Sequence, residues 1–142
     1  MNILKVGLVY FLRVFSAGFA LALVRIPFLV PHLGARNAEL LEIPIMLAVI
    51  VWASWRLAER HVGLGRLARL LSGTVAFTLL VTAELLVAYA LGMRSLGEYI
   101  GTRDPVSGSV YAASLLVFAL APACWRNRPG PGKSAGLQNG TP

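Results

Sequence analysis

The chain has 142 residues, of which 57% are hydrophobic and 13% charged, with a net charge of +7 and a mean hydropathy of +0.72. Soluble domains carry about 25% charged residues, so this composition excludes an ordinary soluble domain and, for most of the chain, disorder. Four membrane spans of about 20 residues would use about 80 residues and leave no room for a second folded domain. The sequence predicts an all-α integral membrane protein, a four-helix bundle with short loops.

The first two spans are predicted over residues 6–29 and 38–56. Pro27 and Pro31 predict a break between them, because proline lacks an amide donor and disfavours helix at the preceding residue. Asn37 has the residue type and position of an N-cap for the second helix. The two spans are therefore expected to be separate helices.

Spans three and four are predicted over residues 70–93 and 106–125. Asp104 directly precedes Pro105, a pair typical of a helix cap and first helical position. The three threonines of span three recur every four residues and are expected to bond to their own helix. They are Thr74, Thr78 and Thr82.

Positive charges are distributed unequally between the two predicted sides of the membrane. The amino terminus, the loop between spans two and three and the tail together carry nine Lys or Arg residues and one acid, whereas the other side carries four of each sign. The positive-inside rule therefore predicts cytoplasmic termini. Residues 1–126 are assigned to the transmembrane domain, and the Pro- and Gly-rich residues 127–142 to a disordered cytoplasmic tail. No aromatic residues alternate with the basic ones, so nucleic acid is not an expected partner.

The candidate ligand- or ion-binding residues lie on the predicted outer side and within span three. Glu39 and Glu42 are three residues apart and share a helix face. A carboxylate inside a span is costly, so Glu84 is expected to face the other helices and to have a polar partner. The full set is Glu84, Glu39, Glu42, Arg25, Arg36, Arg94, Glu98, Arg103 and Asp104. The alternative is structural, with these residues pairing and capping helix ends.

Known catalytic and cofactor motifs are missing from the sequence. It contains no metalloprotease, phosphate-binding, dinucleotide-binding or serine-nucleophile motif, and His32 and His61 are predicted to lie on opposite sides of the membrane. The single Cys124 excludes an internal disulfide. No catalytic residue, metal or cofactor is therefore expected.

These observations favour a non-enzymatic accessory, scaffold or lipid-binding component of a membrane assembly. Its expected partners are membrane lipids and either another protein or a second copy of the chain. Arg outnumbers Lys eleven to two, a ratio typical of a GC-rich genome. The expected location is a bacterial inner membrane. The alternative is a small proton- or cation-coupled transporter that uses Glu84. A third hypothesis is an outer-leaflet lipid-modifying enzyme that uses Glu39 and Glu42.

Overall fold

The computed structural model describes residues 2–90, 92, 97, 101 and 104–125. These residues are almost entirely helical and include no strand, which confirms the all-α class. The helical segments are α1 (Ile3–Val24), a π-helical turn (Arg25–Leu29), α2 (Val30–Arg60), α3 (Arg66–Ala90) and α4 (Pro105–Cys124). The predicted tail, residues 127–142, lies outside this description.

The predicted break at Pro27 and Pro31 is wrong. The helix continues past both prolines, because a π-helical turn accommodates Pro27 and because Pro31 lies in the first turn of α2. Asn37 is not an N-cap: it lies inside α2, and its side-chain amide donates to the Leu33 carbonyl at 3.0 Å. The interruption lies instead at Gly34, whose backbone dihedral angles are not helical.

The chain reverses direction at Gly34. Gly34 has φ 77° and ψ 158°, a conformation that only glycine adopts readily. In a straight helix, Gly18 and Met46 would lie about 42 Å apart at 1.5 Å per residue. Instead, Met46 Cε lies 3.3 Å from the position that a Cβ atom on Gly18 would occupy. Helices α1 and α2 therefore pack against each other in opposite directions.

Three helices in the described ranges are long and apolar enough to cross a membrane. They are Ile3–Arg60, Arg66–Ala90 and Pro105–Cys124. The first of these three is folded back on itself at Gly34, so it supplies two of the four expected helical segments.

Each helical segment packs mainly against two others, in the order α1–α3–α4–α2 around the molecule. Gly73 allows the closest approach of α3 to α4, because a Cβ atom there would overlap the Ala119 carbonyl. Through the centre, Tyr10 on α1 meets Phe118 on α4. The Tyr10 hydroxyl donates to the Phe118 carbonyl at 3.0 Å, and the two rings stack with centroids 4.7 Å apart. This contact joins segments that are not main packing neighbours.

The buried apolar core is concentrated at the end of the molecule that holds the start of α1 and the end of α4. Its members come mainly from the first halves of α1 and α3 and the second halves of α2 and α4, and Leu64 comes from the turn between α2 and α3. They are Val6, Tyr10, Phe11, Val14, Ile50, Ala53, Leu57, Leu64, Ala76, Leu80, Phe118 and Ala121. We call this the closed end, since its side chains fill the space between the helices.

Arg69 is buried at the closed end, with 1% of its surface exposed. One guanidinium nitrogen donates to the Trp125 carbonyl at 2.8 Å, and another donates to the His61 carbonyl at 3.3 Å. Both carbonyls directly follow helix C-termini, where the helix dipole favours a cation. The Trp125 indole in turn donates to the Ser54 hydroxyl at 3.0 Å. Arg69 thus joins the ends of α2 and α4 to the start of α3.

Replacing Arg69 by methionine should strongly destabilise the protein. Hydrogen bonds from a charged donor contribute about 1.5–3 kcal/mol each, so losing two of them should lower the free energy of unfolding by about 3 kcal/mol. Arg60→Met is the matched control, because Arg60 is exposed and exposed substitutions typically change stability by less than about 0.5 kcal/mol. Thermal unfolding in detergent measures the stability of the two variants. Equal effects would show that Arg69 does not join the helix ends as described.

Candidate functional site

A cavity of about 440 Å³ lies at the other end of the molecule, which we call the open end. Most of its wall is apolar and comes from all four α-helical segments. Its polar wall residues are Arg25, Glu39, Glu42, Glu84, Ser107, Tyr111 and Ser114. The volume falls within the range of about 300–1,000 Å³ that is usual for small-molecule sites.

Small side chains explain why the helices enclose space at this end. Gly18 and Ala22 on α1 and Ala88 on α3 line the cavity. At the closed end, the corresponding interior positions on α1 hold Tyr10 and Phe11, which belong to the core. The same helices are therefore filled by side chains at one end and separated by a cavity at the other.

Arg25 lies between two carboxylates of α2 on the cavity wall. Its Nη1 is 3.7 Å from Glu39 Oε1, and its Nε is 3.1 Å from Glu42 Oε2. The fold-back at Gly34 brings these residues together from opposite sides of the turn. We call these three residues the charge cluster. Their pairing matches the structural alternative for them, and it engages both carboxylates that a lipid-modifying enzyme would use.

The contact between Arg25 and Glu42 is an ion pair without hydrogen-bond geometry. Arg25 Nε and Glu42 Oε2 are both buried, and neither atom has a hydrogen-bond partner within the described ranges. Buried polar groups are normally hydrogen-bonded, and each unmade bond costs about 1–3 kcal/mol. Both atoms therefore keep unused hydrogen-bonding capacity, which a small shift of the two side chains would open to a ligand in the cavity.

Glu84 faces the cavity from α3 and is half-buried. The Tyr111 hydroxyl of α4 donates a hydrogen bond to its Oε1 atom. The prediction that Glu84 faces other helices and has a polar partner is thus confirmed. Tyr111 was not among the predicted site residues, although a tyrosine seven residues after the Asp104 cap places a polar group inside an apolar span. This hydrogen bond links α3 to α4 beside the cavity.

Asp104 caps α4, as predicted. Its Oδ2 accepts from the Ser107 amide at 3.0 Å and the Val106 amide at 3.1 Å, and it lies 3.5 Å from the Arg36 Nε atom. The hydrogen bond from the Ser107 amide, and then the Arg36 guanidinium, hold the pKa of Asp104 below its ordinary value. Arg36 and Asp104 thus tie the start of α2 to the start of α4 at the rim of the open end.

Ser107 is a polar cavity residue that sequence reasoning missed. It is 1% exposed, lines the cavity, and has no hydrogen-bond partner for its hydroxyl in the described part of the chain. The hydroxyl lies near enough to the Asp104 carboxylate to help lower its pKa, but not in hydrogen-bond geometry. A serine in the first turn of an apolar span was the available signal. Its oxygen is a further unfilled hydrogen-bonding position at this site.

Three predicted site residues, Arg94, Glu98 and Arg103, lie outside the described residues. The threonines of α3 behave as expected, each donating to the carbonyl four residues earlier at 2.7–3.0 Å. Within the ranges that the structure describes, no group of three or more His, Cys, Asp or Glu side chains could hold a metal ion.

Comparison of the chain with protein-family models, curated proteins and solved structures finds no match. Its function is therefore inferred from the cavity itself. Apolar walls can take hydrocarbon, and charged groups on the same wall can orient a polar head. The chemistry of this site suits an amphiphile.

Proposed function

We propose that this chain is a bacterial inner-membrane protein whose helices cross the bilayer four times as a bundle. The 58 residues of Ile3–Arg60 would extend about 87 Å if straight, whereas a hydrocarbon core is about 30 Å thick. The reversal at Gly34 divides this length into two crossings. With α3 and α4, the total is four, and the charge distribution favours cytoplasmic termini.

Reporter fusions test this topology. Fusions after Leu71 and in the tail should report the cytoplasm, whereas a fusion near Gly101 should report the exterior. If Ile3–Arg60 crossed only once, three crossings would place the two termini on opposite sides of the membrane. A tail that reports the exterior would therefore contradict the proposal.

We further propose that the protein is a non-enzymatic lipid-binding component of a membrane assembly, and that the cavity is its binding site. The observation that carries this proposal is the combination of apolar walls and one charge cluster in a single cavity. A soluble polar ligand would not use the apolar walls, and a pure hydrocarbon would leave the charge cluster without a role.

The cavity also reaches the outer surface of the helices. Phe19 on α1, Ile26 in the π-helical turn and Val87 on α3 line it, yet 58%, 62% and 52% of their surfaces are exposed. Helices α1 and α3 are packing neighbours, so these residues mark a lateral opening between them. A hydrocarbon chain could pass through this opening from the bilayer while the polar head stays at the charge cluster.

Filling the cavity should remove the bound amphiphile. Ala22→Trp places a large side chain on the cavity wall and should reduce retained lipid by at least about tenfold, equivalent to about 1.4 kcal/mol. Ala20→Trp is the matched control, because Ala20 lies two residues away on α1, is exposed and does not line the cavity. Lipid that co-purifies in detergent is measured by mass spectrometry. Equal retention by both variants would place lipid binding elsewhere.

The second candidate function is proton- or cation-coupled transport, favoured by the position of Glu84 on the cavity wall and its bond to Tyr111. Vesicles with an acidic lumen and a trapped pH dye provide the test, with ethidium as the added cation. Transport would make the lumen alkaline when ethidium is added, Glu84→Gln would abolish this change, and the exposed control Glu59→Gln would preserve it. No change with the unaltered protein would contradict cation–proton exchange with this substrate.

A further inference from the structure

We propose that the charge cluster selects a phospholipid whose head group carries both a phosphate and a primary ammonium, as in phosphatidylethanolamine. This inference rests on the proposed binding of an amphiphile in the cavity and adds the chemistry of its head group. Three features support it: the mixture of charges in the cluster, the unfilled hydrogen-bonding atoms around it and the apolar lateral opening.

The charges of the cluster favour a head group that carries both signs. A purely anionic head group would meet Arg25 but would also lie beside Glu39 and Glu42. A purely cationic one would meet the carboxylates but would lie beside Arg25. A charge that is removed from water without a partner costs several kcal/mol. A zwitterion can place its phosphate against Arg25 and its ammonium against the glutamates, so that every charge keeps an opposite neighbour.

The unfilled hydrogen-bonding atoms match the same head group. A small shift of the side chains on the cavity wall would let Arg25 Nε and the Ser107 hydroxyl donate to phosphate oxygens, and Glu42 Oε2 accept from an ammonium N–H group. A primary ammonium supplies three such donors. A trimethylammonium group, as in phosphatidylcholine, supplies none. The cluster should therefore distinguish two zwitterionic head groups that differ in their N–H donors.

The apolar walls favour a lipid over a free head group. A volume of 440 Å³ can hold the head group and the adjoining part of the molecule. The rest of each hydrocarbon chain can leave between Phe19 and Val87, on the two sides of the lateral opening. Soluble phosphoethanolamine has the same charges but would leave the apolar wall uncovered, so it should compete weakly.

The test measures which lipid the purified full-length protein retains from an equimolar mixture. The mixture contains dioleoyl forms of phosphatidylethanolamine, phosphatidylcholine, phosphatidylglycerol and a trimethylammonium-propane cationic lipid. Native mass spectrometry gives the bound ratios. We expect phosphatidylethanolamine to exceed phosphatidylcholine by about tenfold, the effect of one hydrogen bond to a charged group. Soluble phosphoethanolamine at millimolar concentration should not displace it, and displacement would identify a site for the free head group instead.

Substitutions then show which side chains bind the phosphate and which bind the ammonium of the head group. Glu42→Gln should remove most of the preference for ethanolamine over choline. Arg25→Gln should lower retention of both phosphatidylethanolamine and phosphatidylglycerol relative to the cationic lipid, and Ser107→Ala should do the same to a smaller extent. Arg60→Gln is the control, because Arg60 is exposed at the end of α2 and does not line the cavity. It should leave the lipid ratios unchanged.

Ratios are compared within one sample, so partial loss of folded protein does not imitate a change of preference. If Arg25→Gln fails to fold, Arg25→Lys decides: it keeps the charge but loses the Nε donor, and should bind less phosphatidylethanolamine. Retention of lipid with no preference for ethanolamine would overturn this inference and leave the proposed lipid-binding function intact. Retention of no lipid of any class would overturn both.

Discussion

The reversal at Gly34 is the constraint on which the arrangement of the open end depends. Because the chain turns back at the non-helical Gly34, α1 and α2 lie side by side, and Arg25 comes opposite Glu39 and Glu42. The ion pairs hold two segments that a straight helix would separate by more than about 20 Å. The positive φ of Gly34 thus provides the turn, and the charge cluster secures the pairing beside it.

The closed end of the molecule is tightly packed, whereas the open end holds the cavity. At the closed end, the core is filled and Arg69 bonds the carbonyls that follow α2 and α4, so the ends of these two helices are held to the start of α3. At the open end, small residues leave the cavity, and the contacts are polar: Tyr111 bonds Glu84 and Arg36 pairs with Asp104. Helices anchored firmly at one end can hold a cavity at the other without collapsing on it.

Charged and polar groups in the proposed membrane region are arranged in ways that lower their cost. Arg25 neutralises part of the charge on Glu39 and Glu42, and the threonines of α3 bond to their own helix. Ionisable groups inside a membrane raise the free energy of the folded protein, so four of them around one cavity favour a functional role for that cavity. That reasoning favours a ligand with a charged head over a purely structural role for the cluster.

Local chemistry in the sequence determined the helical class, the Asp104 cap and the inward orientation of Glu84. Each follows from apolar composition, the rules of helix capping or the cost of an exposed carboxyl in hydrocarbon, which act over a few residues. The same local rules failed at Pro27, where a proline was expected to end the helix. A π-helical turn absorbed the lost hydrogen bond instead, and the packing of α2 against α1 favours that outcome.

Only the tertiary structure decided which distant residues meet. Arg69 was counted among the inner positive charges, and nothing near it in the sequence indicates that it lies buried against Trp125, 56 residues away. Tyr111 and Glu84 are 27 residues apart and meet because α3 packs against α4. The cavity exists because small residues of different helices fall at one level. Such coincidences depend on how whole helices pack, and a pattern read along one chain segment carries no information about them.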